Sequence, residues 1–134
     1  MINPPSETIE QQRVVQYLRI KKIPHFAPNA ENQSSSLNRT VAIKVEVKAK
    51  SMGKSKGFPD LQILKANKYY HGLFIEMKRR AKKLKSGKLS ISHTKTSIEQ
   101  LEWIDRLNNE GYYAIVCYGA IEAIEVIENY MDEV

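Results

Sequence analysis

Residues 57–80 read GFPDLQILKANKYYHGLFIEMKRR, and this stretch decides the fold that we expect. Two acidic residues stand in a basic neighbourhood, Asp60 directly after a proline and Glu76 two positions before Lys78. Two apolar runs, 61–64 and 72–77, have the length of short β-strands, and Asn67 favours a turn between them. We therefore predict that the two runs pair as a β-hairpin.

Such a hairpin would bring its two acidic side chains together. Side chains at positions i and i+2 of a strand project from one face, so Glu76 and Lys78 would lie side by side. Met77 would point into the core from the other face, and Asp60 would approach Glu76 from the partner strand. Paired carboxylates are hard oxygen ligands of the kind that hold Mg²⁺ or Mn²⁺. The stretch therefore predicts a divalent-metal site with Lys78 beside it.

Length and composition fit one domain. The chain has 134 residues, enough for a single hydrophobic core and too few for two full domains, so we expect one domain over residues 1–134. It shows no apolar run long enough for a membrane helix and no signal peptide. We expect no membrane partner and a cytoplasmic protein, in the host cytoplasm if a phage encodes it. Cys117, the single cysteine, is expected to be a buried packing residue.

Charge is distributed unevenly along the chain. Residues 1–95 contain 20 Lys and Arg against 6 Asp and Glu, a net charge of +14, whereas residues 96–134 contain 1 against 9, a net charge of −8. Phosphate contacts supply most of the sequence-independent affinity for nucleic acids, so the basic part is expected to face a polyanion. A solvated charged surface would explain scattered lysines, but it explains this segregation poorly.

Periodicity and capping residues outline the remaining elements. The predicted elements are helices at 6–22, 40–52, 96–110 and 120–131, an extended piece at 25–27 and a strand at 113–118. The strand is an almost unbroken apolar run, which favours a place in the middle of a mixed sheet. The last helix is expected to bury Ile121, Ile124 and Ile127 and to present an acidic outer face. Together these elements predict an α/β fold with a central mixed sheet flanked by helices.

The segment 40–53 is ambiguous in its periodicity. Alternating apolar residues from Val41 to Val47 suit a strand, yet Val41, Val45 and Met52 also belong to one helical stripe. Thr40 as an N-cap and Gly53 just past the end favour a helix, which is our prediction.

The quoted motifs resemble a known family. Pro59-Asp60 followed by Glu76-Met77-Lys78 resembles the signature of the PD-(D/E)XK nuclease superfamily. With Gly57-Phe58 before it, Gln100 on the next predicted helix and Gly111-Tyr112 after that helix, nearly the whole chain resembles the virus-type replication-repair nuclease (VRR-Nuc) domain. The resemblance implies a restriction-endonuclease-like core and metal-dependent hydrolysis of DNA phosphodiesters.

The resemblance also implies a set of site residues. Asp60, Glu76 and the backbone carbonyl of Met77 would hold Mg²⁺ or Mn²⁺, Lys78 would position a water molecule, and Gln100 would be a nearby donor. Glu10 on the first helix would complete the acidic site, directly or through water. Spacing alone would instead make Glu10 a solvated neighbour of Arg13.

Two groups of basic residues are expected to contact DNA. One wall is predicted from Lys48, Lys54 and Lys56. The other is a basic loop at 79–97 that carries Arg79, Arg80, Lys82, Lys83, Lys85 and Lys88, for which a flexible solvated loop is the alternative.

The resemblance extends to substrate and assembly. Stand-alone VRR-Nuc proteins of this length resemble junction resolvases, so we expect a homodimer that acts on branched DNA, especially four-way (Holliday) junctions. The alternatives are a flap or single-strand nuclease and a catalytically inactive DNA-binding module on a nuclease fold. The sequence leaves open DNA against RNA, one metal ion against two, and the dimer interface.

Overall fold

The computed structural model describes residues 3–30, 38–91 and 94–134. In that part of the chain the helices are α1 (Glu7–Ile20), α2 (Arg39–Ser51), α3 (Ile98–Asn109) and α4 (Ala120–Met131), and the strands are β1 (His25–Phe26), β2 (Leu61–Ile63), β3 (Leu73–Lys78), β4 (Lys82–Lys83), β5 (Leu89–Ser90) and β6 (Tyr113–Tyr118). This arrangement confirms the predicted α/β fold with a mixed sheet flanked by helices.

The main sheet has the strand order β1-β2-β3-β6. Strands β2 and β3 pair antiparallel with Leu61 opposite Ile75, which confirms the predicted hairpin, whereas β3 and β6 are parallel. The expected position of the 113–118 strand is wrong, because β6 is the last strand of the described sheet and not a middle one. Helices α3 and α4 both pack on β6, so an apolar run was needed even at the edge.

The sheet has a hydrophobic cluster on each face. On one face, the β3 side chains Leu73, Ile75 and Met77 pack with α1 and α4 and are completely buried. On the other face, Phe74 packs against Leu107 of α3 and neighbouring aromatic rings. The alternation of β3 therefore leaves Glu76 and Lys78 on the α3 side, next to Phe74.

Helix α2 resolves the ambiguous segment in favour of a helix. Its N-cap is Asn38 and not the expected Thr40, because the Asn38 Oδ1 accepts the Val41 N–H at 2.9 Å. Asn is a stronger N-cap than Thr. None of its residues is buried, and its apolar side chains stay exposed, with Val45 53% and Val47 62% accessible.

Two further expectations are corrected. The basic segment is not simply a loop, because β4 and β5 form a small antiparallel hairpin within it; positions 92–93 of that segment lie outside the described residues. Ile127 is buried as expected, but Ile121 is 78% exposed, and Ala120 and Ala123 are buried on the face toward the sheet. No helix in the described ranges is long and apolar enough to cross a bilayer.

Candidate active site

Asp60, Glu76 and Lys78 meet where β2 begins and β3 ends. The Asp60 Oδ2 accepts the Met77 N–H at 2.8 Å, which fixes this carboxylate beside β3. On the α3 face of the sheet, Lys78 Nζ lies 3.8 Å from Glu76 Oε1. Glu76 is only 2% exposed and Lys78 only 9%, so these charged groups meet in a largely dehydrated place.

Gln100 belongs both to this group and to the start of α3. Its Nε2 donates to Glu76 Oε1 at 2.8 Å. Its Oε1 accepts the Ser97 N–H at 2.9 Å, and the Ser97 hydroxyl in turn accepts the Gln100 N–H at 3.1 Å, which completes a capping box. The first turn of α3 therefore orients the amide that contacts Glu76.

Gly57 lets the Asp60 segment approach α3 closely. It has a φ of +86°, and a Cβ there would lie 2.6 Å from the Glu99 carbonyl carbon and 2.8 Å from the Gln100 nitrogen. Any other residue would clash with rigid backbone, so this position needs glycine. Glu76 then interacts both with Asp60 and with the Gln100 amide.

Burial disfavours ionisation of both carboxyls in this pair. It raises the pKa of Glu76 to about 9, with the Asp60 carboxylate adding to the effect and Lys78 opposing it. Burial likewise raises the pKa of Asp60, although the Met77 N–H partly offsets the rise. The positive charge of Lys78 therefore does not return the pKa values of Asp60 and Glu76 to their ordinary range.

The donor set fits a divalent cation. Among the described residues none donates a hydrogen bond to the buried Glu76 Oε2, so a proton shared with Asp60, a water molecule or a cation would satisfy it. The N–H and C=O of one strand residue point toward the same neighbour, so the Met77 carbonyl faces the Asp60 side. These are hard oxygen donors of the type that Mg²⁺ and Mn²⁺ prefer. No three Asp, Glu, His or Cys side chains of the described residues form a ready-made metal cluster, so the main-chain oxygen matters here.

Glu7 is a neighbour of this group that the sequence interpretation missed. Burial raises its pKa, the Asp60 carboxylate raises it further, and Lys78 lowers it. Glu7 in turn contributes to the raised pKa of Glu76. In the sequence, Glu7 and Glu10 lie three positions apart and so share one side of α1. This spacing indicates a carboxylate on that side but does not tell which of the two faces the site.

Within the described residues, Glu10 has its hydrogen bonds and ion pairs with groups other than Asp60, Glu76 and Lys78. It is also buried, at 2% exposure, but its carboxylate is bound by Arg13 Nη1 at 3.3 Å, by Arg80 Nη2 at 3.5 Å and by the Ala120 N–H at the start of α4. A side chain at Gly119 would collide with Glu10 Oε2, so that glycine keeps room for the contact. In this structure Glu10 ties α1 to α4 and to the end of β3.

Some of the predicted DNA-binding residues are engaged within the protein. The Arg79 guanidinium donates to the Pro4 and Pro5 carbonyls at 2.6–3.2 Å, and Arg80 pairs with Glu10. Lys54 lies 3.7 Å from Glu46, and Lys56 lies 3.5 Å from Glu99, both as exposed pairs that are worth little.

The other candidates are displayed on two separate elements. Lys48 is exposed on α2. On and around the β4–β5 hairpin, Lys83, Lys85 and Lys88 are exposed and Lys82 is half-buried. This hairpin begins four residues after the end of β3, the strand that carries Glu76 and Lys78.

Comparison with known proteins agrees with this architecture. The family model described as VRR-NUC domain matches residues 5–121. A solved structure titled "VRR_NUC domain protein" is similar to this chain, with a TM-score of 0.73 and 26% identity over 98% of this chain and 92% of the other. Among curated proteins, none matches the chain significantly. Because the family model spans most of the sequence, the chain belongs to the VRR-NUC domain family, whose fold is of the nuclease type.

Proposed function

We propose that this protein is a Mg²⁺- or Mn²⁺-dependent endonuclease that hydrolyses phosphodiester bonds in DNA. The observation that carries the proposal is the buried Glu76 Oε2, which has no hydrogen-bond donor in the part of the chain that the structure describes and lies in a carboxyl pair with Asp60 beside Lys78. Burying two carboxyl groups with raised pKa values lowers the stability of the folded state, and ionisable groups with shifted pKa values are typical of functional sites.

Asp60, Glu76 and the Met77 carbonyl would hold the metal ion, and Glu7 would add negative charge at the edge of the site. When bound, the ion would polarise the scissile phosphate and lower the pKa of a water ligand. The chain's own groups then hold the reactants. Lys78 positions the attacking water and offsets the charge that develops on the phosphate, and the Gln100 amide keeps Glu76 Oε1 oriented by its 2.8 Å hydrogen bond.

The first experiment tests chemistry and metal together. The purified protein is incubated with labelled linear duplex, flap, four-way-junction and RNA substrates in Mg²⁺, Mn²⁺ or EDTA. We expect cleavage of DNA with either metal and none in EDTA. Asp60→Asn and Glu76→Gln should each abolish cleavage without weakening DNA binding, because each removes a metal ligand and a repulsion toward phosphate. Either variant cutting at the native rate would refute the assignment.

Lys78→Met separates catalysis from metal binding. We expect a loss of roughly 100-fold or more in cleavage, in the range seen when one transition-state donor is removed. Metal affinity, measured by calorimetry, should not fall, since Lys78 repels cations. A collapse of metal affinity would give Lys78 a structural role instead. Glu122→Gln, on the exposed side of α4, is the matched control and should leave both quantities unchanged.

For the substrate, we propose branched DNA cut by a homodimer, with four-way junctions preferred. One chain offers one such site, so coordinated nicks in two strands need two copies, and two-fold dimers are the commonest solution. The exposed apolar side chains of α2 support an interface there, because a 13-residue helix with no buried residue is marginal without a partner.

Val45→Glu tests this interface, since a carboxylate would be buried against the second copy. Light scattering should show a dimer for the native chain and a monomer for the variant, with junction cleavage falling more than nicking of linear duplex. Thr40→Glu, at the start of the same helix, is a charge-matched control. A native chain that is monomeric at micromolar concentration and cuts linear and junction DNA equally would favour a flap or single-strand nuclease.

A further inference from the structure

A groove of about 660 Å³ runs between α1 and β1. Its walls come from residues 8–19 of α1 and from residues 25–30, which contain β1 and the segment after it. Its volume lies within the range of small-ligand sites in proteins. The site residues described above do not account for this groove.

Amide side chains dominate the helical wall of the groove. Gln11, Gln12 and Gln16 line it together with the Thr8 hydroxyl, and none of its lining residues within the described ranges is acidic. Amides and hydroxyls both donate and accept hydrogen bonds, as the edges of nucleobases do. Arg19 lines the groove farther along α1, where a cation suits a backbone phosphate.

Phe26 supplies an aromatic surface on the opposite wall. It is 56% exposed although it lies on a strand of the main sheet. A single exposed apolar residue is ordinary in a folded protein. Phe26 differs because hydrogen-bonding side chains surround the same groove, and an exposed ring beside such groups is the arrangement on which unpaired bases stack.

The groove adjoins the carboxylates. Asn29 lines it, and the Asn29 Nδ2 donates to the Phe58 carbonyl at 2.7 Å and reaches the carbonyl of Pro59, the residue before Asp60, at 3.5 Å. On α1, the lining residue Thr8 directly follows Glu7, whose pKa is raised in part by Asp60. A strand held in this groove would therefore lead directly to the site.

We propose that the groove between α1 and β1 binds an unpaired nucleotide of the DNA substrate, with its base stacked on Phe26 and its edge hydrogen-bonded by the glutamines. This inference rests on the proposed nuclease function and extends it, because it specifies that a nucleotide at the branch point of the DNA is unpaired when it is bound next to the scissile bond. Fully paired duplex offers no free base to this groove.

Fluorescence anisotropy in EDTA tests the proposal without cleavage. The probes are a labelled short oligothymidylate, a blunt duplex, and the same duplex extended by an unpaired thymidine arm. Phe26→Leu keeps an apolar side chain but removes the ring, Phe26→Trp keeps a ring, and Tyr69→Leu is the control at another exposed aromatic, 69% accessible and outside the groove. Thermal melting confirms that each variant is folded.

Phe26→Leu should weaken binding of the oligothymidylate and the armed duplex about tenfold, which corresponds to about 1.4 kcal/mol and is within the contribution of one stacked base. Blunt-duplex affinity should not change, and Phe26→Trp and Tyr69→Leu should bind like the native chain. Equal weakening on all three DNAs, or none on the two with unpaired bases, would overturn the proposal. A native protein that cleaves no DNA would refute the nuclease function, while this metal-free binding result would still decide the role of the groove.

Discussion

Glu7 and Glu10 lie one turn apart on α1 and are expected to respond oppositely to the same substitution. Glu10→Gln replaces a buried carboxylate that accepts the Ala120 N–H and pairs with two arginines. Losing the charge of a hydrogen-bonded acceptor costs about 1 kcal/mol. The arginine side chains are 56% and 46% exposed, so each ion pair adds at most a few tenths of a kcal/mol after screening.

The expected loss for Glu10→Gln is therefore about 1–2 kcal/mol of unfolding free energy, or a Tm lower by roughly 4–8 °C for a domain of this size. Cleavage measured well below that Tm should stay near the native rate. Glu7→Gln should leave Tm unchanged or raise it slightly, because ionised Glu7 is disfavoured in the fold. Its cleavage rate should fall about 10- to 100-fold, as when a group that supports metal ligands is removed.

The assay is a pair of measurements on each variant, thermal melting in EDTA and cleavage of the preferred DNA substrate with Mg²⁺ at 25 °C. A reversed pattern would refute the placement of both residues. That pattern is an inactive Glu10→Gln with native Tm together with a fully active Glu7→Gln, and it would restore Glu10 as the carboxylate that completes the site.

Three more results are expected. In EDTA, the urea midpoint should fall as pH rises from about 5 to about 9. The pKa of Glu76 is about 9 in the folded state and near 4.5 in the unfolded state, so over this range the folded state binds the extra proton. Glu76→Gln should flatten this pH dependence, and an unchanged curve in that variant would contradict the buried carboxyl pair. Lys83→Glu with Lys85→Glu on the β4–β5 hairpin should weaken binding to every DNA and reduce the slope of log affinity against log salt concentration by about 0.9 per lost phosphate contact. The control is Lys65→Glu with Lys68→Glu, at the far end of the β2–β3 hairpin, which should change neither quantity. Cys117 should resist thiol reagents at pH 8 until urea unfolds the chain, since it is fully buried and burial raises its pKa to about 12; rapid labelling of the native protein would disprove that environment.

Local patterns predicted most of the fold. The β2–β3 hairpin follows from two apolar runs around Asn67, whose Oδ1 accepts the Tyr69 and Tyr70 N–H groups at 2.9 and 2.8 Å as an Asx-type turn requires. Helix α1 begins where the sequence signals indicate, with Ser6 as its cap, whereas α3 begins at Ile98 after the Ser97 cap, slightly later than the predicted start at 96. These features depend on neighbours in the chain, so a single sequence contains the information.

Features that depend on distant contacts were harder to predict. Periodicity showed that strand 113–118 is covered on both faces, but it carries no information on whether another strand pairs with its outer edge. The exposure of Ile121 has a similar origin, because the packing of α4 against α1 and β3 decides that Ala120 and Ala123, and not Ile121, face inward. In both cases the deciding partner is remote in sequence.

The candidate site also combines features that depend on neighbours in the chain with features that depend on distant contacts. The alternation of β3 predicts that Glu76 and Lys78 are neighbours, and the turn chemistry brings Asp60 near them. Which carboxylate of α1 approaches this group depends on the rotation of the helix about its axis, which the contacts of Glu10 with Arg80 and Ala120 help to fix. Residues i and i+3 look equivalent until that rotation is known.

Gln100 shows how a helix start can restrict the chemistry of a neighbouring site. A capping box accepts Glu as readily as Gln at this position, because only the side-chain oxygen contacts the N-cap N–H. Here that oxygen is occupied by Ser97, so the other end of the side chain is turned toward Glu76 with its hydrogens outward. A glutamate would keep the helix start but point a second lone-pair oxygen at a carboxylate. Gln and Glu are therefore equivalent for capping this helix, but only Gln can also donate a hydrogen bond to the carboxylate that it faces.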